Sequence, residues 1–312
     1  MPAPRTPRVS IVGAGAVGSP LGRALHKRGY PIVSVISRSG RSAISLARAV
    51  QCKKASTQIG DLSAETECLL LTVPDAAIGE VAARVSKLKS LNFKKLFVAH
   101  CSGVYSAELL EPIRRRGALV ASMHPIQTFP SSGNPGRHSA KLRGIYYGID
   151  GEREALKRTE RLIEDLEGSP LIIRKELRPL YHLICVIASN YLTVQLNAID
   201  ELTKILGVSA TWQEMFGPLM TTTMENAVTG PPADSLTGPI VRGDFSTVDL
   251  HLKALSTFAP CFLPFYVSGG VEVARVGKER QRISQDSFDG LIRQFRQFLK
   301  THSFNNEEKV EH

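Results

Sequence analysis

A short apolar strand that runs into a glycine turn and then an amphipathic helix has few ways to fold, and residues 9–39 have that form. Val9, Ile11 and Val12 lead into Gly13-Ala14-Gly15-Ala16-Val17-Gly18, after which Leu21 and Leu25 recur at helical spacing until Gly29. Gly13 permits the tight turn, Gly15 lets the backbone approach a pyrophosphate at the helix N-terminus, and Gly18 lets helix and strand pack closely. Such a unit binds a dinucleotide. Its second strand, Ile32–Ile36, ends in Ser37-Arg38-Ser39-Gly40-Arg41, where about 20 residues past the glycines an Asp or Glu would take the 2′-hydroxyl of NAD. Arg38 can instead clamp a 2′-phosphate, with Ser37 or Ser39 donating to the same group, so NADP(H) is the expected cofactor.

The chain has 312 residues, more than one core usually holds, and 43% hydrophobic residues, enough for two. No apolar run free of polar groups is long enough to cross a membrane, and Met1-Pro2-Ala3-Pro4-Arg5-Thr6-Pro7 lacks the apolar core of a signal peptide, so a cytoplasmic protein without membrane partners is expected. The five cysteines are scattered with neither metal nor redox spacing, which predicts reduced thiols and no metal. A net charge of +10 raises the question of nucleic acid, but the cations are dispersed; only Arg114-Arg115-Arg116 forms a run, the pattern of a solvated helix end. With neither an aromatic platform nor a basic stripe, the charge suits a small anionic substrate and an anionic cofactor instead.

Beyond the opening unit, strand and helix keep alternating. Residues 68–73 are nearly continuously apolar, as in a central parallel strand, and Pro74-Asp75 opens a helix at Ala76, with Asp75 either its N-cap or a ligand contact. Residues 95–99 form the next strand, ending in His100-Cys101-Ser102-Gly103, and 118–123 another, ending in His124-Pro125-Ile126-Gln127-Thr128-Phe129. Ligands of open parallel sheets bind beyond the strand C-termini, so Thr72, Asp75, His100, Ser102, His124, Gln127 and Thr128 point to one rim. Thr72, Val73, Pro74 and Ser102 are expected on its cofactor side. A loop rich in Gly, Pro and Ser covers 131–139, and 144–149 with 170–173 finish the sheet.

After Lys175 the pattern becomes helix upon helix. Residues 179–206 predict one helix of about 28 residues, with Pro179 in its first turn and Gly207 as its stop. Being apolar nearly all round, it is expected to be buried between the nucleotide domain, the other helices and a second subunit. On it His182 and Ser189 share one face, Asn190 and Asn197 another. The stretch 229–244 is too rich in Gly and Pro for a helix and precedes one starting near Thr247. It carries Thr237, Arg242 and Asp244, with His251 just beyond; Arg242 either grips a carboxylate or pairs with Asp244.

Taken together, the glycine turn, Thr72-Val73-Pro74-Asp75, His100-Cys101-Ser102-Gly103, the His124 to Phe129 motif, Tyr181-His182 with Ser189-Asn190, and Leu236-Thr237-Gly238-Pro239-Ile240-Val241-Arg242-Gly243-Asp244 resemble the bacterial two-domain Rossmann-like oxidoreductases whose C-terminal part is a domain of unknown function. That family is similar to the ketopantoate reductases, the pyrroline-5-carboxylate reductases and the 6-phosphogluconate and β-hydroxyacid dehydrogenases. The resemblance implies a doubly wound Rossmann NADP-binding domain over 1–175, an all-helical substrate and dimerisation domain over 176–300, and a frayed tail over 301–312. It also implies a homodimer formed through the helical domain. One departure stands out: the catalytic lysine that those dehydrogenases carry about one turn before a helix asparagine is missing, since Val186 stands four residues before Asn190.

A reduced carbonyl still needs a proton, and histidine, with its pKa near neutrality, is the natural substitute. The expectation is therefore an NADPH-dependent reductase of a small, ketopantoate-like 2-oxo acid. His182 or His124 would give the proton, Asn190 would orient the carbonyl, Arg242 would grip the carboxylate, and Thr237, Gln127 and His251 would line the substrate. Gly13, Ala14, Gly15, Ala16, Val17 and Gly18 would seat the pyrophosphate. The alternatives are an imine reductase resembling pyrroline-5-carboxylate reductase and a non-enzymatic NADP(H)-binding regulator.

Overall fold

The computed structural model describes residues 6–130 and 139–302; nearly all of the expected 131–139 loop and the tail beyond His302 lie outside them. The chain divides into two compact units, Met1–Tyr191 and Leu192–His312.

In the first unit, β1 (Val9–Val12), β2 (Ile32–Ile36), β3 (Ala55–Ser56), β4 (Cys68–Leu71), β5 (Phe97–His100), β6 (Leu119–Pro125), β7 (Tyr146–Gly151) and β8 (Ser169–Ile172) form one sheet in the order β3-β2-β1-β4-β5-β6-β7-β8. All pairs are parallel except β6 with β7. Side chains alternate between two apolar layers. Val9, Ile11, Leu70, Ala99 and Met123 pack with Leu21, Leu25, Leu46 and Ile163, carried by helices α1 (Gly18–Lys27), α2 (Gly40–Ala49) and α5 (Arg153–Asp165). Val12, Leu69, Leu71, Val98 and Val120 pack on the other face with Ile78, Val85 and Ile113 of α3 (Asp75–Ser86) and α4 (Glu111–Arg114). A parallel sheet covered on both faces is the doubly wound Rossmann arrangement, and its strand order reverses between β1 and β4.

Two polar rows interrupt the apolar layers. Within the sheet's interior Ser10 Oγ lies 2.6 Å from Ser34 Oγ and 2.8 Å from Thr66 Oγ1, a buried chain of hydroxyls. Toward the C-terminal rim, strand pairing sets Leu71, His100, Ser122 and Asp150 side by side across four strands. Strand β6 runs on past Ser122, so that His124 stands opposite Gly148. By alternation His100, Ser122, His124, Gly148 and Asp150 share one face.

The segment expected as one helix is helical throughout, with a π turn inside it. It comprises α6 (Arg178–Val186), a π turn (Ile187–Tyr191) and α7 (Leu192–Ile205). Apolar residues lie on every side of it, so a one-residue widening leaves the hydrophobic pattern unchanged and invisible in sequence. Arg178, Tyr181, Ala198 and Thr203 are the segment's buried residues, whereas Leu180, Leu183, Ile184, Ile187, Tyr191 and Val194 are exposed. By length and composition Lys175–Ile205 is apolar enough to cross a membrane, and 6% of its most apolar window is buried.

The second unit is helical: α8 (Trp212–Thr229), α9 (Phe245–Phe258), α10 (Leu263–Glu279) and α11 (Gln285–His302) follow α7. Val248, Leu252, Leu263, Val267, Leu291 and Phe295 form its core. Thr211 and Glu214 make a reciprocal capping box at the start of α8.

Candidate active site

The glycine turn is built as its sequence requires. Gly13 has φ +106°, and a Cβ there would stand 2.6 Å from the Thr72 carbonyl carbon; a Cβ on Gly18 would stand 1.9 Å from Gly13 O. Both positions therefore exclude side chains. A Cβ on Gly15 would meet nothing within 4 Å, so the turn is open to solvent on that side. Val17, at the N-cap of α1, makes no side-chain cap, and the first turn carries no acidic residue. A helix start with no side-chain cap, no acidic residue and close backbone approach suits a pyrophosphate, so the residues fit a dinucleotide. Ala14 is buried and Ala16 exposed beside them. Thr72 Oγ1 donates to Gly13 O at 2.5 Å, which ties the end of β4 to the turn across the point where strand order reverses.

At the end of β2, Arg38 is exposed and occupies the sequence position where an acidic residue would take the ribose. Ser39 is the N-cap of α2 and accepts from Ser42 N–H at 3.3 Å, leaving its hydroxyl proton free; Ser37 N–H is held by Ser56 O. Val73 packs partly buried against the lower core. Pro74 is the N-cap position of α3 and Asp75 its first residue, without a side-chain cap, which corrects the reading of Asp75 as the cap.

The rim beyond β5 and β6 holds the polar cluster. His100 is fully buried, its Nε2 2.9 Å from Ser106 O and its Nδ1 accepting from Ser102 N–H at 3.2 Å. It braces the loop after β5, and burial lowers its pKa to about 4. Ser102 is also buried; its Oγ accepts from Tyr105 N–H, and its carbonyl accepts from Arg178 Nη2 at 2.7 Å. Ser102 thus closes a turn with its side chain. Arg178 is fully buried, and its Nη1 lies 2.8 Å from Asp150 Oδ2, off the hydrogen-bond axis, while Asp150 Oδ1 accepts from Ala107 N–H.

His124 and His182 come together over Gly103. Their ring centroids are 6.1 Å apart, and a Cβ on Gly103 would lie 2.5 Å from His182 Cδ2 and 3.0 Å from His124 Nε2. Tyr181 Oη sits 2.7 Å from His124 Nδ1. Burial, reinforced by the Arg178 guanidinium, lowers the His124 pKa to about 4, so at neutral pH its imidazole is uncharged. It can donate or accept one hydrogen bond at Nε2 but brings no imidazolium proton.

The other expected residues are held by contacts of their own. Gln127 is half-buried, its Oε1 accepting from Thr128 N–H and its Nε2 donating to Lys141 O. Asn190 is exposed in the π turn. In the second unit Thr237 and Arg242 are exposed, and Asp244 caps α9 by accepting from Thr247 N–H and both neighbouring hydroxyls. Asp244 is thereby held at a pKa of about 2 as a helix cap, and α9 starts at Phe245 rather than near Thr247. His251 is exposed, with Nδ1 2.9 Å from Tyr266 Oη. Sequence reasoning missed the roles of Arg178, Tyr181 and Asp150. The available signal was an arginine directly before the Pro179 of an apolar helix, where burial demands a partner.

Two family models match the chain. Residues 3–125 match the Rossmann-like domain, and residues 145–270 match a domain of unknown function, DUF2520. No curated protein sequence matches the chain. Among solved structures it is similar to Bacteroides fragilis BF3122, assigned provisionally as an NADP oxidoreductase, with a TM-score of 0.74 at 20% identity over 86% of this chain and 98% of that one. It is also similar to the Thermotoga maritima protein TM1727, with a TM-score of 0.60 at 23% identity over 95% and 99% of the two chains. A reductive aminase from Aspergillus terreus, solved with NADPH and ethyl-5-oxohexanoate, gives a TM-score of 0.55 at 16% identity over 95% of each chain. These likenesses establish the shared fold.

Proposed function

We propose that this protein is an NADPH-dependent oxidoreductase that reduces a small 2-oxo acid of the ketopantoate type. One observation carries the reading: an open dinucleotide turn and an uncharged His124 share the C-terminal rim of one doubly wound sheet. The Rossmann-like match and the cofactor names attached to the similar folds support the cofactor. Gly13, Gly15 and Gly18 hold the pyrophosphate and Arg38 the 2′-phosphate. Bound NADPH would supply the hydride. As charge develops on the carbonyl oxygen, His124 Nε2–H stabilises it, and the half-buried His182 beside it passes on a proton from solvent.

A second reading, imine reduction, is favoured by the lowered His124 pKa, because an iminium arrives already protonated and asks for no strong acid. Titration with NADPH and NADH by fluorescence, followed by a screen of 2-oxo acids and cyclic imines for oxidation of the tighter cofactor, decides between them. Tight binding without turnover of either class would make the protein a regulator and overturn the enzymatic reading.

The exposed apolar residues of α6 and the π turn are assigned to a second copy of the chain. Leu180, Leu183, Ile184, Ile187 and Tyr191 lie outside the core of a helix whose first residue, Arg178, is buried in the first unit. Light scattering after size exclusion should give a dimer mass, and a monomer at micromolar concentration would remove this assignment.

A further inference from the structure

The geometry points to Tyr181 as a positioning residue: its hydroxyl donates to His124 Nδ1 and so fixes His124 as the Nε2–H tautomer, a neutral donor facing the space over Gly103. A neutral imidazole carries one proton, and the nitrogen that holds it is set by the bond the other nitrogen makes. Here that bond is a 2.7 Å contact between two groups either of which could donate.

The chemistry of the pair decides the direction. A phenol O–H is a stronger donor than a neutral imidazole N–H, and an imidazole nitrogen is a stronger acceptor than a phenol oxygen, so the short contact is an O–H donating to Nδ1. The Cys185 thiol, also beside the phenol, is only a weak acceptor and does not compete with Nδ1 for the proton. The phenol stays protonated, since burial raises its pKa. The Arg178 guanidinium, 5.7 Å from the Tyr181 ring centroid, further disfavours a doubly protonated imidazole.

Backbone geometry is shaped around this contact. Gly148 lies opposite His124 in the β6–β7 pair, and a Cβ there would stand 2.4 Å from Tyr181 Oη. Only a residue without a side chain lets the phenol reach across the strand. On the far side of the imidazole, Nε2 faces Gly103, where a Cβ would come within 3.0 Å. Both ends of the ring are thus bounded by glycines, one admitting the phenol and one letting the two imidazoles close over the backbone.

This inference rests on the reading of His124 as the group that meets the substrate, and its primary test uses no substrate. Long-range proton–nitrogen NMR of the full chain carrying labelled histidine should show His124 with a protonated Nε2 and an unprotonated Nδ1 at neutral pH. In Tyr181→Phe, which keeps the ring and its packing, the His124 signals should move toward the average of two exchanging tautomers. A protonated Nδ1 in the wild type, or an unchanged Nε2–H pattern in Tyr181→Phe, would overturn the proposal. Once a substrate is in hand, kcat of Tyr181→Phe should fall about 10-fold or more with KM held within about twofold. An unaltered kcat alongside the altered tautomer would refute the catalytic use of His124 and leave the tautomer assignment standing.

Discussion

Lowering the pH should unfold the first unit with a steepness set by two histidines. His100 and His124 each titrate at about 4 in the fold against 6.5 when free, so each stays neutral where the unfolded chain would bind a proton. The unfolded state therefore holds more protons between these values, and stability falls as pH falls through that window. A shift of about 2.5 units at 1.36 kcal/mol per unit comes to about 3 kcal/mol per histidine, a slope of roughly 1.4 kcal/mol per pH unit each. Above pH 6.5 the loss is absent, and below pH 4 it is complete. Urea unfolding followed by circular dichroism, with amide exchange of the β5 and β6 strands, reads this slope from pH 7 to 4.5. Trp212, the chain's one tryptophan, lies in the second unit, so its fluorescence serves as the comparison. In His100→Gln the absolute stability drops because the bonds to Ser106 O and Ser102 N–H are altered. The slope should nonetheless flatten by about one histidine's share, while carboxylate titration, common to both proteins, cancels in the difference. Equal slopes in wild type and His100→Gln would refute the argument that burial holds this ring neutral.

Three further outcomes follow from the geometry. Gly15→Ala should weaken NADPH binding about 10-fold or more with no loss in thermal stability, because its Cβ meets no protein atom; calorimetry and a melt separate the two effects. Arg38→Ala should cost NADPH roughly 1.5–3 kcal/mol and leave NADH affinity nearly unchanged, read by fluorescence titration, and equal losses for both cofactors would contradict the 2′-phosphate assignment. Arg178→Met should destabilise the first unit by about 3–5 kcal/mol by leaving Asp150 buried without its partner, and Asp150→Asn in the same chain should recover part of that loss in a urea titration.

The opening unit was legible because each of its demands is local: a strand, a turn closed to side chains at Gly13 and Gly18, and a helix that follows at once. Strand β2 fell on its expected residues for the same reason. The reversal between β6 and β7 was not legible, since strand direction depends on a long connection rather than on strand composition. His124 and His182 could be named because histidines at a strand end and in an apolar helix invite chemistry. Their braces could not. Arg178 reads as a helix-end cation until the fold buries it against Asp150, and Tyr181 reads as one more apolar position until Gly148 admits its hydroxyl. The exposed face of α6 shows the limit of periodicity: it reports that a surface is apolar, not what covers it.

The hydroxyl chain of Ser10, Ser34 and Thr66 has a consequence for folding. Parallel strands of Val, Ile and Leu can slide past one another with little change in apolar contact, and β1 and β2 consist largely of such residues. A slip of one residue would set Ser10 against Val33 or Val35, turn the facing side chains to opposite layers, and strand buried hydroxyls at roughly 1–3 kcal/mol apiece. The three hydroxyls thus act as an alignment mark, favouring one pairing of β1 and β2 among near-equivalent ones and so fixing where the glycine turn emerges from the sheet.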